Sequence, residues 1–170
     1  MNLQEAIVVA LEFEKKVRDH YLRGATEIAD PRGRRVFATL GKEEQGHVDY
    51  LEHCLARWKK TGKVPDVPLE TVLPEGVRWI EQEREKLSAR KDTRVATQAE
   101  LTALETALRY ERESDAFYRK LVSELPREDQ PLFDKFLRIE DAHLALVQAQ
   151  LEAVQGRGFW FDISEFIQDG

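Results

Sequence analysis

The chain has 170 residues, with 26 Lys+Arg against 32 Asp+Glu and a formal net charge of −6 at pH 7. With 42% hydrophobic and 34% charged residues, it is too apolar for a disordered chain and too charged for a membrane protein, and its length suits one domain with a real core. The acidic balance and scattered Lys/Arg make a poor nucleic-acid binder. No stretch approaches the roughly 20 apolar residues of a membrane span. The lone Cys54 excludes an internal disulfide and any CxxC redox or zinc motif. The N-terminal MNLQE has no basic segment before an apolar one, and a cytoplasmic setting is expected.

Breakers divide the chain into long segments. A first helix is expected over Asn2–Ala29, which contains no Pro and one Gly. Asp30 as N-cap and Pro31 as first helical residue open a second helix that stops at Gly62. Residues 62–97 hold three of the six prolines (Pro65, Pro68 and Pro74) and read as a connection, with a short charged helix over Glu75–Arg90. The charge-rich Glu81–Lys91 stretch reads as an exposed face. A third helix is expected from about Thr97 to Leu125, before Pro126, and a fourth from about Asp129 to Gln155, before Gly156. Residues 1–156 then form one helical domain, and 157–170 a tail whose Phe159, Trp160, Phe161 and Phe166 are too apolar to leave in water. That tail is expected to pack over a bundle end or a dimer partner.

Each long segment carries a stripe with a period of about 3.5, the mark of a bundle-forming helix. The stripes read Leu3, Ile7, Ala10, Glu14, Val17, Tyr21; then Leu40, Glu44, His47, Leu51, Cys54; then Leu104, Ala107, Glu111, Ser114, Tyr118; then Phe136, Glu140, His143, Val147. The expected class is therefore all-α, a four-helix bundle. Every stripe is interrupted at mid-length by Glu, or by Glu and His, and the interruption repeats. Ile7, Ala10, Glu14 and Tyr21 map onto Leu104, Ala107, Glu111 and Tyr118 at an offset of 97, and Glu44 and His47 onto Glu140 and His143 at 96. The chain reads as two copies of one helical hairpin that must close on each other. At about 1.5 Å per residue, both hairpins bring their Glu and His groups to one depth. The 36-residue connection 62–97 far exceeds the roughly 2–8 residues between antiparallel bundle helices. It is expected to cross the bundle's length and leave the second and third long helices parallel.

Four carboxylates in a bundle core need a counter-charge, because desolvating each ion costs several kcal/mol and the four repel one another. Two divalent cations balance Glu14, Glu44, Glu111 and Glu140. In Glu-x-x-His, residues i and i+3 share a helix face, so Glu44/His47 and Glu140/His143 each present an oxygen and a nitrogen inward. A Glu from each of two helices with a Glu-x-x-His from each of the others is the di-iron/di-manganese carboxylate pattern. Interior hydrogen-bonded Glu–His pairs without a metal are the competing reading. Tyr21 and Tyr118 are read either as core aromatics or as groups that orient a ligating carboxylate. Cys54 is read as core filler, and His20 and His53, off the inner stripe, as solvated.

At these residues the sequence resembles the ferritin-like superfamily, most closely its rubrerythrin branch, through Glu14-x6-Tyr21, Glu44-Gln-Gly-His47, Glu111-x6-Tyr118 and Glu140-Asp-Ala-His143. The resemblance implies that Glu44 and Glu140 bridge two metals, that Glu14 and Glu111 are terminal ligands, and that His47 and His143 each bind one metal. It also implies two iron ions, with peroxide- or dioxygen-linked oxidation of Fe(II); manganese and zinc suit the same ligands. Full-length rubrerythrins resemble this chain plus a four-cysteine iron domain, which one cysteine cannot build. Electrons are therefore expected from a separate donor protein such as a rubredoxin, and a homodimer is the expected assembly. Rubrerythrins carry a further Glu one turn after the third-helix ligand, where this chain has Ser114; Glu113 and Asp115 sit at different angles. The leading expectation is an oxidoreductase acting on peroxide or dioxygen. Its alternatives are a ferroxidase that hands iron onward and a metal-stabilised bundle without turnover.

Overall fold

Helix ends follow local capping chemistry. In a computed structural model that describes residues 1–88 and 95–167, the described chain is all-helical, with five helices and no strand. Helix α1, Leu3–Glu27, starts at a capping box in which Asn2 and Glu5 satisfy each other's backbone N–H groups. Helix α2, Pro31–Thr61, is capped by Asp30, carries Pro31 in its first turn, and ends at Gly62 with φ 69°. Helix α3, Arg78–Ser88, starts three residues later than the expected Glu75, and its expected end at Arg90 lies outside the described residues. Helix α4, Gln98–Glu124, opens on a second capping box, Thr97 with Glu100.

Helix α5, Gln130–Arg157, corrects the expected stop at Gly156. Gly156 stays helical, and Gly158 takes the left-handed conformation at φ 84° that closes the helix. With two glycines two residues apart, spacing did not distinguish a tolerated helical glycine from the cap.

Residue pairings give the helix directions. Arg18 meets Gln45 and Lys15 meets Glu52, so α1 and α2 run antiparallel. Arg112 meets Gln148 and Arg119 meets Asp141, so α4 and α5 do the same. Lys16 bonds Glu113 while Phe13 stacks on Phe117, which sets α1 antiparallel to α4. Helix α3 lies against α5, tied by Arg84 and Glu152. No helix of the described residues is long and apolar enough to cross a membrane.

The core falls into two apolar clusters at different heights. One includes Val17, Leu40, Leu108 and Leu146, and the other Ala10, Val48, Tyr118 and Phe136. On every long helix the Glu or Glu/His positions lie between the two, so a polar layer divides the core.

The tail closes the first cluster. Gln150 donates to the Phe161 carbonyl and accepts its N–H, and Arg35 pairs with Asp162. Trp160 is fully buried edge-on against Phe37. Of the two sites expected for the tail, the described structure has it over the bundle end beside the α1–α2 turn. Gly33 permits this: a Cβ there would lie 2.6 Å from Trp160 Cε2 and 2.9 Å from Ile28 Cγ2. Gly33→Ala is expected to lower unfolding free energy by about 1–3 kcal/mol. Urea unfolding followed by helical circular dichroism measures it; a loss below about 0.3 kcal/mol would mean that the tail yields freely.

Candidate metal centre

All six predicted ligands come together in the polar layer. Glu14 on α1, Glu44 and His47 on α2, Glu111 on α4, and Glu140 and His143 on α5 are each at most 1% exposed. Their donor atoms form two sets, each within 4.8 Å: Glu14, Glu44, His47 and Glu140, and Glu44, Glu111, Glu140 and His143. Each set has one Glu and one His of its own, and both share Glu44 and Glu140.

The imidazoles present Nδ1 to the carboxylates. His47 Nδ1 lies 3.1 Å from Glu14 Oε2, 3.0 Å from Glu44 Oε2 and 3.2 Å from Glu140 Oε1. His143 Nδ1 lies 2.9 Å from Glu44 Oε1. The two rings stack with centroids 5.5 Å apart and planes 6° from parallel. The tyrosines cross between halves: Tyr21 donates to Glu111 Oε1 and Tyr118 to Glu14 Oε1. Each non-shared glutamate is thus oriented by a phenol from the opposite hairpin.

Electrostatics in this buried layer favour any available positive charge. Burial would lower the His47 and His143 pKa values, but the facing carboxylates, Glu44 foremost, overcome it and raise both well above the ordinary imidazole range. Burial, reinforced by Glu140, raises Glu111 well above the ordinary carboxylate range. Burial also raises both tyrosines, aided by Glu111 at Tyr21 and Glu14 at Tyr118. Even so, Glu111 Oε2 is buried with no partner, and Glu44 Oε2 and Glu140 Oε1 have only the shared His47 Nδ1 at 3.0 and 3.2 Å. Buried oxygens are normally satisfied, and under-partnered carboxylate oxygens converging with imidazole nitrogens match the donor set of a divalent cation. The residues fit a metal pair.

Other expectations divide. Cys54 is buried in the second apolar cluster, and burial pushes its thiol up to about 11. His53 is exposed as expected. His20 is not solvated: it is half-buried, pairs with the Ala103 carbonyl, and lies against Tyr21, Phe37 and Tyr110. Its place off the inner stripe put it at the α1–α4 seam rather than in water. Glu113 is bonded to Lys16 and Asp115 to Arg119, while Ser114 is buried.

Sequence reasoning missed Glu43. It is 7% exposed, accepts from Thr71 Oγ1 at 2.6 Å and the Val72 N–H at 2.8 Å, and lies 3.2 Å from His143 Nε2. Burial would raise its pKa, but His143, Thr71 and Val72 together hold it below the ordinary carboxylate value. The available signal was its i, i+4 spacing to His47, which keeps it near the inner face. Comparison of the chain with protein-family models, curated proteins and solved structures finds no match.

Without metal, His47, His143 and Glu111 hold more protons in the folded than in the unfolded chain. Their stabilising contribution is complete below the unfolded pKa values, about 4.3 for Glu and 6.5 for His, and is lost as pH rises toward the elevated folded values. The metal-free protein is therefore expected to melt at a lower temperature at about pH 9 than at about pH 6.5. Zn(II), by displacing those protons, is expected to raise the melting temperature more at the higher pH. Circular-dichroism melts check this; melting that rises with pH and ignores the cation would contradict it.

Proposed function

We propose that the chain is a ferritin-like, rubrerythrin-like di-iron oxidoreductase that reduces hydrogen peroxide or dioxygen with electrons from an external donor protein. The observation that carries the reading is the pair of four-residue donor sets sharing Glu44 and Glu140, with the buried Glu111 Oε2 left without a partner. On this reading Glu44 and Glu140 would be shared by both ions, Glu14 and His47 would serve one, and Glu111 and His143 the other. The antiparallel α1/α2, α4/α5 and α1/α4 pairings support a bundle of two hairpins whose long connection lets α2 and α4 run parallel.

Two ferrous ions held there would supply one electron each, the two that convert one peroxide and two protons to two waters. The chain's own residues set the conditions. Four glutamates neutralise the pair, and apolar layers above and below keep bulk water from competing with the ligands. Tyr118 and Tyr21 donate to Glu14 and Glu111, holding one oxygen of each and leaving Glu111 Oε2 free of hydrogen bonds. Ser114 adds no carboxylate on α4, so the proposal includes no ligand exchange at that position. The lone buried Cys54 cannot hold a cysteine-ligated iron centre, so the four helices would receive their electrons from outside themselves.

The test is anaerobic loading with Fe(II) followed by stopped-flow addition of peroxide or dioxygen. The account expects two ferrous ions oxidised per chain, faster than in a Glu44→Ala/Glu140→Ala variant, and repeated cycles when a reductant is supplied. Oxidation no faster than in the variant would overturn it. Retention of many ferric ions per chain in a large assembly would replace it with iron storage.

A further inference from the structure

The two donor sets are related by the internal repeat, and the relation fails at Glu43. The offset of 96 that carries Glu44 onto Glu140 and His47 onto His143 carries Glu43 onto Ile139. On one side His143 Nε2 lies 3.2 Å from the Glu43 carboxylate. On the other, His47 Nε2 is fully buried and has no hydrogen-bond partner. The Nδ1 contacts differ as well, three carboxylates at His47 and Glu44 at His143, while each set has one Glu held by a tyrosine from the other hairpin and each shares Glu44 and Glu140.

Resting on the reading that this layer holds two cations, we propose that the two positions are unequal, the His143 position filling first and holding its ion more tightly because Glu43 supports only that imidazole. A carboxylate accepting the Nε2–H fixes the tautomer that leaves the Nδ1 lone pair for the metal, fixes the ring, and makes it more basic. His47 has no such acceptor. Glu43 is itself positioned, because Thr71 Oγ1 and the Val72 N–H hold its two oxygens from the segment after α2. That segment, remote from the repeat pattern, thereby reaches His143 through a hydrogen bond, while His47, whose nearest ring nitrogen is within 4.8 Å of the Glu43 carboxylate, receives none at Nε2. Glu43 is a positioning residue, acting through His143.

Calorimetric titration of the metal-free full chain with Co(II) at fixed pH tests this. Wild type is expected to bind two ions in two steps whose Kd values differ by about 10–100-fold, the usual effect of such a partner. Glu43→Gln and Glu43→Ile are expected to weaken the tighter step by that factor while still binding two ions, so that the steps merge. Ile139→Glu, which puts a carboxylate at the repeat-equivalent of Glu43, is expected to tighten the weaker step. Circular dichroism reports whether each variant retains its helices, and the Ile139 variant reads a gain that misfolding cannot mimic. Two ions bound with one affinity by wild type, or two steps unchanged in folded Glu43 variants, would overturn the proposal and leave the metal centre standing. No Co(II) bound by wild type would overturn the centre itself.

Discussion

Everything in this structure answers to the cost of burying like charges. Four carboxylates converge between two apolar layers, each at most 1% exposed. At short range in such a medium their repulsion amounts to many times thermal energy. Neutral isosteres would pack there at far less cost, so the arrangement makes physical sense only with positive charge at its centre. Protons on His47, His143 and Glu111 supply part of it in the metal-free chain, and a pair of divalent cations would supply all of it. The polar layer could therefore hold a cation, and its occupancy would then be linked to stability.

The fold serves this constraint by symmetry and then departs from it. Two hairpins give the same Glu/His pattern twice, and each hairpin's tyrosine serves the other's glutamate, so neither half is complete alone. Glu43 belongs to one half only, and the connection that separates the halves holds it. The tail adds a second asymmetry, since only the end near the α1–α2 turn receives Trp160 and the Gln150 clamp.

Much of the site was legible because helical periodicity is strict and carboxylates on an apolar stripe violate it visibly. Glu14 and Glu111, or Glu44 and Glu140, stand out against Leu and Ala at neighbouring turns, and repetition at fixed offsets makes chance a poor explanation. The same method was blind to Glu43 for a physical reason: it precedes a residue already assigned, its counterpart is Ile139, and its partners Thr71 and Val72 come from a connection with no period. His20 shows a related weakness. A position off the central stripe of one helix still meets a neighbour in a bundle, and only packing reveals that its ring lies among Phe37 and Tyr110. The helix end at Gly158 rather than Gly156 was a contest between two glycines decided by which one takes positive φ.

The most direct measurement of the central claim is anomalous X-ray scattering from crystals grown with Fe(II) under anaerobic conditions. The account predicts two peaks in the polar layer, about 3.5–4 Å apart as in other two-metal sites, one beside Glu14 and His47 and the other beside Glu111 and His143, with Glu44 and Glu140 between them. A layer without anomalous density, its glutamates and histidines bonded only to one another while iron sits elsewhere on the surface, would contradict it.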